Sequence, residues 1–147
     1  MSYDLIFARL APGQTWQDHV NADGDPDELD LADERPLDSD AWKRIVQRVR
    51  EILPEVVDEG DELGDEMTAI QVLCTAGQAS VQVPYWHTGA MARHVVTTMY
   101  RISAIIEEET GLTGFDPQVE QPIANASVDD AVTAFTTVAQ TFAEHYV

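Results

Sequence analysis

Two histidines and one carboxylate are spaced so that they could do chemistry. His87 and His94 stand seven apart where a helical pattern begins, and Asp116 ends a short apolar run before Pro117. Two imidazoles and a carboxylate can ligate zinc or iron, so a metal-dependent enzyme with a site near His87, His94 and Asp116 is one reading. No i, i+4 histidine pair and no Cys-x-x-Cys accompanies them, and His94 lies beside an apolar stripe, the usual setting of a boundary histidine. A second constellation is Asp23, Asp25, Asp27 and Glu34, at loop positions 1, 3, 5 and 12 of a calcium-binding spacing over 23–34. Glu28 stands where such a loop needs its turn glycine, and Pro26 stiffens it, so calcium is the weaker alternative. The third is Tyr85-Trp86-His87 at a strand-to-helix corner. Aromatics at a corner either cap a core or anchor a partner protein, because aromatic side chains dominate interface hot spots. No nucleotide loop or nucleophile motif is present. No catalytic residue, resident metal or cofactor is therefore assigned, and Tyr85, Trp86 and His87 are the expected binding residues.

Charge narrows the partners. With 27 Asp and Glu against 8 Lys and Arg the formal net charge is -19, a surface that repels nucleic-acid phosphates and anionic lipid and attracts a basic protein. The same balance is what a halophilic or high-GC composition gives a protein for solubility alone. Cys74 is the only cysteine and lies in an apolar run, so an intrachain disulfide is excluded. No stretch reaches the roughly 18 apolar residues of a membrane span, and the chain opens on a strand pattern rather than a charged leader. The expectation is a cytoplasmic protein with neither membrane nor nucleic acid as partner.

The elements that must position these residues follow from periodicity. At 147 residues the chain has the length of a single domain with its own core. Residues 3–10 are apolar on both faces, which suits a central strand. Residues 15–20 could form a short helix, and 21–36 and 55–66 read as acidic loops rich in Gly and Pro. Ala41, Trp42, Ile45, Val46, Val49 and Ile52 recur at helical spacing behind a cap at 38–40, with Lys43, Arg44, Arg48 and Arg50 outward to balance the neighbouring acidic loops. Strands are predicted over 68–74 and 79–83, joined by a glycine-bearing turn. A long helix over 89–110 turns Met91, Val95, Met99, Ile102 and Ile106 inward and stops at Gly111. Glu107-Glu108-Glu109 sit unfavourably at its negative end. A strand over 112–115 and a final helix capped by Ser127, with its stripe running to Phe142 and Tyr146, complete the chain.

Setting the first and last helices aside, that order is β-α-β-β-α-β. It predicts an α+β fold with a four-stranded antiparallel sheet, helices mainly on one face, a ferredoxin-like core and an added C-terminal helix. An open sheet face of this kind would also allow a homodimer.

Three patches, MSYDLIF, VQVPYW and GLTGFDPQ, together resemble a loosely defined group of small bacterial proteins that open with MSYDL and carry VPYW- and DPQ-type strand ends. The patches hold 21 of the 147 residues, and the acidic stretch 21–35 departs from the group. Some members are immunity-like proteins that block a toxin, which the resemblance would extend to this chain. A protein-binding module, immunity-like or regulatory, is the function expected.

Overall fold

The computed structural model describes residues 2–10 and 36–146, the last five of these by backbone without side chains. The calcium spacing 23–34, the helix expected at 15–20, the acidic stretch short of Pro36, and the side chains of Phe142 and Tyr146 lie outside the described residues.

Strand β1 (Ser2–Ala8) alternates strictly, burying Tyr3, Leu5 and Phe7 while Asp4, Ile6 and Ala8 stay half-exposed. It lies between β5 (Gln78–Pro84) and β6 (Thr113–Asp116), antiparallel to both. β4 (Gln71–Cys74) forms the expected hairpin with β5, its turn closed by Thr75 N–H donating to Gln78 O at 2.8 Å. Cys74 is buried in this sheet, and burial pushes its thiol up to about 11, which keeps it protonated and inert at neutral pH.

The four-stranded, ferredoxin-like layer is overturned: with β2 (Val57–Asp58), β3 (Glu62–Gly64) and β7 (Gln121–Pro122) the described residues form a seven-stranded antiparallel sheet in the order β2-β3-β4-β5-β1-β6-β7. The stretch 55–66, expected as an acidic loop, folds into a hairpin of β2 and β3 that widens the sheet beyond β4. Gly60 at φ 103° makes the turn, and Glu59 N–H donates to Glu62 O at 2.8 Å. Asp58 fastens the hairpin to the helical layer, its Oδ1 accepting from Gly60 N at 2.8 Å and Trp42 Nε1 at 3.0 Å. At the other edge β7 pairs with β6. Backbone pairing needs no apolar side chain, so strands of two and three residues escape any search for alternation. Their shortness, the Asp58 carboxylate and Pro122 also make both edges poor templates for a further strand.

Among the described residues three α-helices cover one face. Helix α1 (Ser39–Ile52) begins at Asp38, whose Oδ2 accepts from Ala41 N at 3.1 Å, and buries Ala41, Trp42, Ile45, Val46 and Val49. Helix α2 (Gly89–Thr110) has the expected span, ends at Gly111 in the left-handed region, and lies against β5 and β6 with α1 and α3 on either side. Helix α3 (Val128–Tyr146) buries Ala131, Val132, Phe135 and Ala139 after Ser127 accepts from Asp130 N at 3.4 Å.

Two of the α1 cations, Arg44 and Arg48, meet the end of α2. Arg44 Nε donates to Glu109 at 2.7 Å, and Arg48 reaches Glu108 at 2.7 Å and Glu109 at 3.3 Å. These pairs relieve the clash between the glutamates and the helix dipole. The Arg44 hydrogen bond, aided by Arg48, holds the Glu109 carboxyl below the usual glutamate range. A carboxyl depressed in the folded state stabilises above its unfolded value and loses that contribution as pH falls through the folded one. The small stability deficit of Glu109→Gln should therefore be full at neutral pH and vanish in acid; urea titrations showing a pH-independent gap would contradict it.

Candidate functional site

Asp116 ends β6 on the buried face of the sheet and is fully enclosed. A carboxylate offers only acceptors, and this one is surrounded by donors. Tyr3 Oη donates to its Oδ2 at 2.6 Å and Tyr100 Oη to the same atom at 2.5 Å, while Gln118 N–H and Nε2 donate to Oδ1 at 3.0 and 2.7 Å. Gln118 then bridges to β1, with Oε1 accepting from Asp4 N at 3.1 Å and Nε2 also donating to Asp4 O at 2.8 Å. Burial, and next the hydrogen bond to Asp116, push both phenols above the usual tyrosine range. The group joins β1, α2 and β6 into one unit with no route for a substrate, so its role is structural.

The metal reading is corrected on the same ground. Asp116 is committed to this network, His94 is exposed on α2, and His87 lies within hydrogen-bond distance of Thr68 O through Nε2, at 2.7 Å. Among the described residues no three His, Cys, Asp or Glu side chains are grouped to hold a metal ion.

The corner after β5 separates its three residues. Ala79, Val81 and Val83 of β5 face the core, and Tyr85 continues that alternation, with its ring 5.0 Å from Phe135 and 6.2 Å from Tyr3. Burial there, with the negative charges of Asp4 and Asp116, pushes its phenol up to about 12. Trp86 falls on the opposite side and is 74 % exposed. His87 ties the corner to the turn before β4, which Asp65 organises by accepting from Thr68 N and Oγ1 at 3.0 and 2.6 Å. Of the three expected binding residues, then, Tyr85 is half-buried against the core, His87 is a tether, and Trp86 alone is presented outward.

Trp86 borders a cleft of about 620 Å³ on the sheet face away from the helices. Strand register sets its floor: Val57, Gly64, Gln71 and Gln82 are successive cross-strand partners from β2 to β5. Gln82 Nε2 donates to Gln71 Oε1 at 3.0 Å across that row. Val57, 57 % exposed, lies at the far side, and the exposed Glu59 and Glu66 stand among the lining residues. None of the described residues lining the cleft is a Lys or Arg. The hairpin that supplies Val57 and Glu59 falls in the stretch expected as an acidic loop, so that side of the cleft carries no sequence signal beyond a run of acids.

Among the described residues no helix is long and apolar enough to cross a membrane. Comparison with family models, with curated proteins and with solved structures finds no match to this chain.

Proposed function

We propose that this chain is a protein-binding module, of an immunity-like or regulatory kind, that docks a basic partner at the cleft beside Trp86. One observation carries the reading: a tryptophan exposed at the edge of an acidic cleft with no cation among its described lining residues. An indole held in water is unfavourable by itself and favours a partner that covers it, while the surrounding carboxylates select one of opposite charge. The net charge of -19 extends that attraction over the whole molecule and would speed encounter.

Titration with short cationic peptides, and with acidic peptides of equal length as controls, tests it. Cationic peptides should bind at low ionic strength and weaken as salt rises. Trp86→Ala should weaken them about tenfold, in the range of an interface hot spot, while leaving stability within about 0.5 kcal/mol because the side chain supports little of the fold. Absence of binding at low salt, or equal binding by Trp86→Ala, would end the proposal.

A further inference from the structure

We infer that the cleft is an arginine subsite, a step that rests on the docking role proposed above and names the side chain that anchors the partner. The cleft sets an aromatic face, an apolar contact and carboxylates around one space, a combination that suits a flat cation on an apolar stem. Trp86 gives an exposed aromatic face and Val57 an apolar contact, while Glu59 and Glu66 supply negative charge. In the floor, the bond between Gln82 Nε2 and Gln71 Oε1 leaves the Gln82 amide oxygen outside that bond.

A guanidinium suits the aromatic and acidic parts of this lining, and Val57, three strands across the floor from Gln82, is left to a neighbouring apolar side chain of the partner. The guanidinium plane stacks on an indole, its weak hydration makes leaving water inexpensive, and its fork of N–H donors can meet a carboxylate and an amide oxygen together. A lysine ammonium carries the same charge as a strongly hydrated point and cannot stack, so charge alone would not distinguish it but this cleft does. An apolar or aromatic anchor would leave the two glutamates unanswered, and an acidic one would meet them head on. The carboxylate of Asp65, also in the lining, is already bound to Thr68 and serves to shape the wall.

The test uses the whole chain and three lysine-rich peptides identical except at the central residue, which is arginine, lysine or the uncharged isostere citrulline. Affinities are read by calorimetry, and the contact is placed by the shift of the Trp86 indole N–H resonance. The arginine peptide should bind about five- to tenfold more tightly than the lysine peptide, the range of a partly desolvated cation–π contact, with citrulline weakest. Trp86→Ala should erase the arginine advantage, and Trp86→Phe should keep part of it. Equal affinity for all three peptides, or an arginine advantage that survives Trp86→Ala, would overturn the arginine subsite while leaving charge-driven docking in place. Failure of every peptide to bind would remove the docking role and the subsite together.

Discussion

Asp116→Ala should destabilise the protein by about 3–6 kcal/mol, because it strips two buried phenols of their acceptor in one step and each such loss is worth roughly 1.5–3 kcal/mol. Tyr3 is fully buried and Tyr100 nearly so, leaving water no ready access to either hydroxyl. Gln118 would lose the carboxylate that orients it, and with it the clamp on the Asp4 backbone. Asp116→Asn should be milder. Its one oxygen can still accept from Gln118 while its amide donates to a phenol oxygen, so part of the network survives with fewer charge-assisted bonds. Tyr3→Phe should cost about 1.5–3 kcal/mol, since one donor of four is lost and the ring stays packed on Phe135. Urea denaturation would read these as shifts of midpoint at constant slope. An Asp116→Ala variant within about 1 kcal/mol of wild type would show that the network does not hold the sheet to α2.

Gly114→Ala should cost about 1–3 kcal/mol, the usual penalty for an added methyl in a filled interior. Gly114 sits on β6 opposite Phe7, and a Cβ there would fall 2.5 Å from Ile123 Cδ1 and 2.7 Å from Phe7 Cε1. Its backbone is not in the left-handed region, so crowding alone is responsible. Combining Gly114→Ala with Ile123→Val removes the nearer atom. The pair should therefore be less destabilising than the sum of its single changes, even though Ile→Val by itself costs about 0.5–1.5 kcal/mol. Strict additivity would argue that the strain falls on Phe7 or the β1–β6 pairing instead.

The helices were legible because a helix announces itself locally. The 3.6-residue stripe of α2, the cap at Asp38 and the stop at Gly111 each depend on residues within a turn or two. The β4–β5 hairpin was legible for the same reason, through alternation on either side of a short turn. Alternation also bears on the corner: carried two residues past Val83 it sends Tyr85 inward and Trp86 outward, whereas treating Tyr85, Trp86 and His87 as one patch hides the distinction.

What the amino-acid order determined by itself was the α+β class, the three helices of the described residues with their buried stripes, and a large excess of carboxylates. Tertiary structure decided the rest. Whether 55–66 is loop or hairpin depended on an adjacent strand offering its edge, and that pairing built one side of the cleft and added two strands to the four expected, with β7 at the other edge making seven. Asp116 looked like a ligand because a carboxylate at a strand end is chemically open. It became a structural tie because folding brings Tyr3, 113 residues away, and Tyr100 onto one oxygen. Stripes and caps are short-range and leave a record in neighbouring residues, while edge pairing and buried polar contacts join distant segments whose approach no local pattern encodes.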